Sequence, residues 1–143
     1  MATAKWYGPA INRVLTKVID LSADTIKVAL CTSTYTPNYD THGVYTDLTN
    51  QTTGTGYTAG GITLTSKTIT QDTTNDWWTF DAADVTWSSA SFSFRYAIIY
   101  DDTAASKPLI AAIDFGSTQT ASSQDLTIKW ESMSDSGILR GKY

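Results

Sequence analysis

The chain has 143 residues, 41% apolar and only 17% charged, with a formal net charge of −4. That length suits one domain able to bury a core unaided. The acidic balance and the scatter of its ten Lys and Arg leave no basic footprint for phosphate backbones, so no nucleic-acid partner is expected. Thr, Tyr and Trp are plentiful, a vocabulary that fits pleated, half-buried surfaces. Scarce charge with many aromatics also suits a surface covered by other protein, although a monomeric sandwich with a Thr-rich skin has the same composition. A single cysteine, Cys31, excludes an internal disulfide and reads as a small buried filler. The opening MATAKWYGP lacks a secretory pattern, and no apolar run reaches bilayer length, so cytoplasmic folding without a membrane partner is expected.

Residues 1–8 read as an N-terminal arm on a single β domain spanning 1–143. Ile11, Val14, Leu15, Val18 and Ile19 then recur at helical spacing, opposite Asn12, Arg13, Thr16 and Lys17. With Gly8 at the N-cap and Pro9 at the first helical position, they predict a short amphipathic helix over Pro9–Asp20. After a Ser22-Ala23-Asp24 turn, Ile26, Val28 and Leu30 alternate with Lys27, Ala29 and Cys31 as a half-buried strand. Thr32–Asn50 is a long polar excursion with one helical turn near Tyr45–Leu48. Loops of this length are uncommon in compact domains unless they bind something.

The glycines of TGTGYTAGG (Thr53–Gly61) punctuate the next stretch. Ile62 and Leu64 share a parity that Ile69 breaks, which requires a bulge or interruption. Trp77 and Trp78 must point to opposite faces of one strand. The cleanest alternation runs Phe92, Phe94, Tyr96, Ile98, Tyr100, answered by Leu109, Ala111, Ile113 and Phe115. Leu126, Ile128 and Trp130 alternate with Thr127, Lys129 and Glu131 in another strand, and a last short strand includes Ile138 and Leu139. Short strands divided by Gly, Asn, Asp and Ser turns predict an all-β fold: an antiparallel sandwich or jelly-roll-like barrel with a short N-terminal helix.

Catalytic equipment is not recognisable. The single His42 sits in the polar excursion near Asp40; two ligands on a loop do not complete a metal site, and no nucleophile is held beside the ring. Asp101, Asp102 and Asp114 could suggest paired carboxylates, but a turn-opening role for Asp101-Asp102 is simpler. GTGYTAGG lacks both the G-x-G-x-x-G frame and a phosphate-binding lysine. Trp77, Trp78, Trp87 and Trp130 suit either sugar stacking or a core and subunit interface, the second being simpler. No enzyme activity, cofactor or metal is expected.

Four blocks occur in order: AINRVLTKVIDLSADTIKVALCTSTYTPN (Ala10–Asn38), TTGTGYTAGGITL (Thr52–Leu64), DAADVTW (Asp81–Trp87) and RYAIIYDDTAASKPLIAAIDFG (Arg95–Gly116). With the closing WESMSDSGILR they cover most of the chain, and together they resemble the capsid decoration (cement) proteins of tailed phages. The resemblance implies a virion protein on the capsid exterior, commonly a homotrimer, whose partner is the major capsid protein and which stabilises the expanded head by bridging capsomers. A tail or fibre component and a carbohydrate-binding module remain alternatives. The candidate partner-binding residues are Trp6 and Tyr7 in the arm, and Trp77 and Trp78. An arm of this kind should be removable, from Ala2 to Tyr7, without changing the melting of the fold.

Overall fold

The structure is a computed structural model that describes residues 2–132 and 137–143. In chain order its elements are β1 (Thr3–Trp6), α1 (Gly8–Leu15), β2 (Ile26–Cys31), a 3-10 turn (Tyr45–Asp47), β3 (Ile62–Thr63), β4 (Thr68–Asp72), β5 (Trp77–Asp81), β6 (Val85–Asp101), β7 (Leu109–Ile128), a second 3-10 turn (Trp130–Ser132) and β8 (Leu139–Lys142). The class is the expected one: antiparallel, sandwich-like and all-β, with one short helix near the start. One sheet has the order β1-β7-β6-β2-β3 and the other β4-β5-β8; both feed one hydrophobic core.

The hairpin of β6 and β7 is the spine. Its apolar ends pair in register from Ala97↔Ile113 to Ile99↔Ala111. Between Phe94 and Tyr96 the pairing jumps from Gln119 to Asp114, a bulge pinned by Arg95, whose Nε and Nη2 donate to the Asp114 carboxylate at 2.9 and 3.0 Å. Asp101 is wholly buried, and its Oδ1 accepts the N–H groups of Thr103 and Ala104 at the hairpin loop. Asp102 pairs with Lys27 and Lys107 at 3.3 and 2.7 Å. All three aspartates raised as catalytic carboxylates therefore hold this hairpin together. Trp87 and Trp130 are core residues, and the Trp130 indole donates to the Ala83 carbonyl at 2.9 Å.

The alternation in β2 predicts one buried face, yet Ala29 and Cys31 are as buried as Val28 and Leu30. The reason is the polar excursion, which folds back onto the sheet. Tyr35 packs edge-on against Tyr96 at 5.9 Å, and Tyr45 lies 4.8 Å from Tyr100. The expected turn at Tyr45 forms, its Asp47 carboxylate accepting from the Gly43 and Val44 N–H groups. Ile62 belongs to the larger sheet and Ile69 to the smaller; the parity break between them is the crossing from one to the other, at Ser66 with φ +51°.

Two expectations need correcting. The N-terminal segment is not a free arm: Thr3–Trp6 pairs antiparallel with Asp114–Ala111 of β7. Tyr7 then enters the core with no exposed surface. Removing Ala2–Tyr7 would strip a strand and a buried ring from the domain. The helix, in turn, covers Gly8–Leu15 rather than Pro9–Asp20, with Tyr7 at the N-cap. Lys17 adopts φ +60°, its N–H donates to Val14 O, and the Val18 N–H donates to Arg13 O. This is a Schellman ending built on lysine where glycine is usual, so the stop carries little sequence signal.

Candidate functional site

Helix α1 is turned against its own amphipathicity. Ala10 is the residue it buries, and Arg13 donates to the Gly43 carbonyl of the excursion. The apolar stripe faces out instead: Leu15 is 78% exposed, Ile11 49% and Val18 47%. Ile19, beyond the helix, is buried in the core, and Val14 is half-buried against it. Exposed apolar side chains scattered singly are ordinary; a contiguous row beside a hollow is a recognition feature.

The hollow is a groove of about 430 Å³ lined by Trp6, Ile11, Val14, Leu15, Trp78, Arg140 and Gly141. Three parts of the chain meet there. Trp6 ends β1, paired with small Ala111, and chain alternation sends it outward while Tyr7 goes in. Trp78 stands on β5 opposite Gly141 of β8. Its indole lies across that glycine so closely that a Cβ at position 141 would overlap the ring. The two indoles are 5.7 Å apart, tilted by 59°, and both are half-buried. Trp77 is on the other face of β5, with the Arg140 guanidinium 5.0 Å and the Lys142 ammonium 5.8 Å from its ring.

The four candidate anchors therefore divide. Trp6 and Trp78 come together and form one wall of the groove; Trp77 lies outside it. Tyr7 is a core residue: its hydroxyl meets that of Tyr35 at 2.8 Å, and burial foremost holds its pKa far above the ordinary phenol range. Tyr35 in turn meets His42 Nδ1 at 2.9 Å, and the Asn38 N–H also points at that nitrogen, at 3.3 Å. The single histidine thus closes a structural chain of hydrogen bonds that fastens the excursion to the start of α1. Among the described residues no group of three or more His, Cys, Asp or Glu is placed to hold a metal ion. Nor, among the described residues, is any helix long and apolar enough to cross a membrane.

The glycine-rich stretch also has a structural use. Gly61, at φ +72°, runs so close to the Val28 carbonyl that any Cβ would overlap it. Gln51 Oε1 accepts from the Tyr57 hydroxyl and the Gly60 N–H. Sequence reasoning missed Ile11, Val14 and Leu15 as groove residues, because their spacing signals a helix without saying which side faces water. It also missed Gly141, whose role depends on a cross-strand neighbour. No protein-family model, curated protein or solved structure matches the chain.

Proposed function

We propose that this chain is a virion structural protein that binds the outer surface of a tailed-phage capsid and stabilises the expanded head by bridging neighbouring capsomers. The four sequence blocks supply the class. The observation that carries the binding mode is the outward apolar stripe of α1, with Leu15 78% exposed, beside the paired indoles of Trp6 and Trp78. Aromatic anchors in a hollow ringed by aliphatic side chains are the usual seat of interface energy. The partner is the major capsid protein, and the chain works as a homo-oligomer, three copies being what the resemblance implies.

The mechanism is mass action. A protein that binds only the assembled shell stabilises it by its binding free energy, site by site. Several contacts on one oligomer make each later contact intramolecular and raise avidity. A sugar-binding role fits the groove less well: apart from Arg140 its lining is apolar or glycine, whereas carbohydrate needs several convergent polar groups. The test is add-back of purified protein to heads lacking it and, separately, to isolated tails. Saturable co-sedimentation with heads is expected. Binding to tails alone, or to neither, would reject the proposal.

A further inference from the structure

Resting on the capsid reading, we propose that the groove takes an extended segment of the capsid partner, which adds as a further strand to the open edge of β8. The segment carries carboxylates on the face of Arg140 and Lys142 and apolar side chains on the face of Trp78. Strand β8 ends the smaller sheet, with β5 on one side and, among the described residues, no strand on the other. The pairing fixes which backbone groups that edge offers. The Tyr143 N–H donates to Asp76 O at 3.0 Å, one step past the Trp77↔Lys142 pair. Opposed residues of antiparallel strands alternate between bonded and unbonded pairs. Gly141 therefore bonds to Trp78, while the N–H and C=O of Arg140 and Lys142 point away from β5. Among the described residues no turn or loop bonds to them there.

An unpaired edge alone is only a liability; this one borders a hollow. Arg140 and Gly141 line the groove together with Trp6, Trp78 and the apolar stripe of α1. A strand laid along β8 sends alternate side chains to the two faces of the sheet. One set meets the two indoles and the exposed Leu15, and the other meets Arg140 and Lys142. In strand addition of this kind main-chain bonds give affinity, and pockets for alternate side chains give specificity. Charge selects the occupant. The chain is acidic overall, at −4, yet both charged residues of β8 are basic. The salt bridges among the described residues use Lys27, Arg95 and Lys107 instead, and the buried Arg140 Nε has no acceptor. Asp72 shares their face through the pairing of β4 with β5, but its carboxylate accepts from the Thr74 and Asn75 N–H groups and the Asn75 amide. Two copies of this chain meeting at β8 would set these cations against one another, which destabilises a pairing. A segment bearing Asp or Glu supplies the missing acceptor.

The test loads the full chain onto heads lacking it. Hydrogen exchange read by mass spectrometry should find the Arg140 and Lys142 amides exchanging readily in the unbound chain and slowed about tenfold or more on heads. Lys142→Pro deletes one outward N–H and keeps the bonds of Gly141 and Tyr143 to β5, a setting in which edge strands accept proline. It should weaken binding to heads about tenfold or more at an unchanged urea midpoint. Lys142→Arg, which keeps charge and N–H, should bind as the wild type does. Saturable binding to heads without slowed exchange at this edge, or full binding by a folded Lys142→Pro, would overturn the inference and leave the capsid reading standing. Failure of the wild-type chain to bind heads would remove both. Slowed exchange in the unbound chain that fades on dilution would assign the edge to a second copy and overturn the inference as well. Should Lys142→Pro fail to fold, the exchange measurement on the wild type decides alone.

Discussion

Replacing Ile11 and Leu15 together by glutamine separates an interface from a core. Fully burying one such side chain is worth about 1.5–3 kcal/mol. Leu15 is 78% and Ile11 49% exposed, so that much of each remains for a partner to cover. Scaled in this way, the pair offers about 2–4 kcal/mol, or roughly 30-fold to 700-fold in dissociation constant. Both figures assume complete coverage of the two residues, and partial coverage would give less. Folding should barely respond, because glutamine matches leucine in helix propensity and solvent-facing substitutions usually stay within about 0.5 kcal/mol. The assay pairs urea denaturation of the free protein with a binding isotherm on heads lacking it. Weakened occupancy at unchanged denaturation midpoint is expected. A large drop in midpoint would mean that the stripe is internal packing. Unchanged occupancy would mean that the capsid does not touch it.

Tyr7→Ala should cost about 3–5 kcal/mol in chemical denaturation, as for other buried aromatics; a midpoint shift typical of a surface residue would restore the free-arm picture. Gly141→Ala should push the Trp78 indole off β8, changing tryptophan emission and costing about 1–3 kcal/mol by overpacking; unchanged emission would contradict the close ring-to-glycine stacking. Burial foremost, with the neighbouring Asp24 carboxylate adding to it, raises the pKa of Asp101 above the usual aspartate range. The folded state therefore holds that proton more tightly than the unfolded chain, and this contribution to stability is lost as pH rises from that range through the folded value. Asp101→Asn keeps the acceptor for Thr103 and Ala104 and removes the titration. Its unfolding free energy minus that of the wild type should grow more positive with rising pH across that window; a constant difference in urea titrations would refute it.

Where a feature rests on alternation along one strand, the residues declare it. The hairpin from Arg95 to Gly116, the turn at Tyr45 and the break between Leu64 and Ile69 are all readable, because period-two patterns and turn residues act locally. The groove is another matter. Ile11, Val14 and Leu15 carry helical spacing, but the side of α1 that meets the protein is chosen by Ala10 and by Arg13 reaching Gly43, thirty residues on in the chain. Nor does any local cue tell that Trp6 meets Trp78 while Tyr7, next in sequence, is swallowed by the core. That choice is made by β1 docking on Ala111 and by the Tyr35 hydroxyl waiting inside. Lys17 hides the helix stop for a related reason: a left-handed lysine looks, in sequence, like one more exposed helical position.

The buried thiol offers a practical opening. Cys31 has no accessible surface, and burial pushes its pKa up to about 12. Alkylating reagents attack the thiolate, so the folded native chain should stay silent toward maleimides at neutral pH. One cysteine introduced at an exposed position would then be the sole labelled atom. A gold cluster or fluorophore placed there could chart the orientation of each copy on a particle without first removing the natural sulfhydryl.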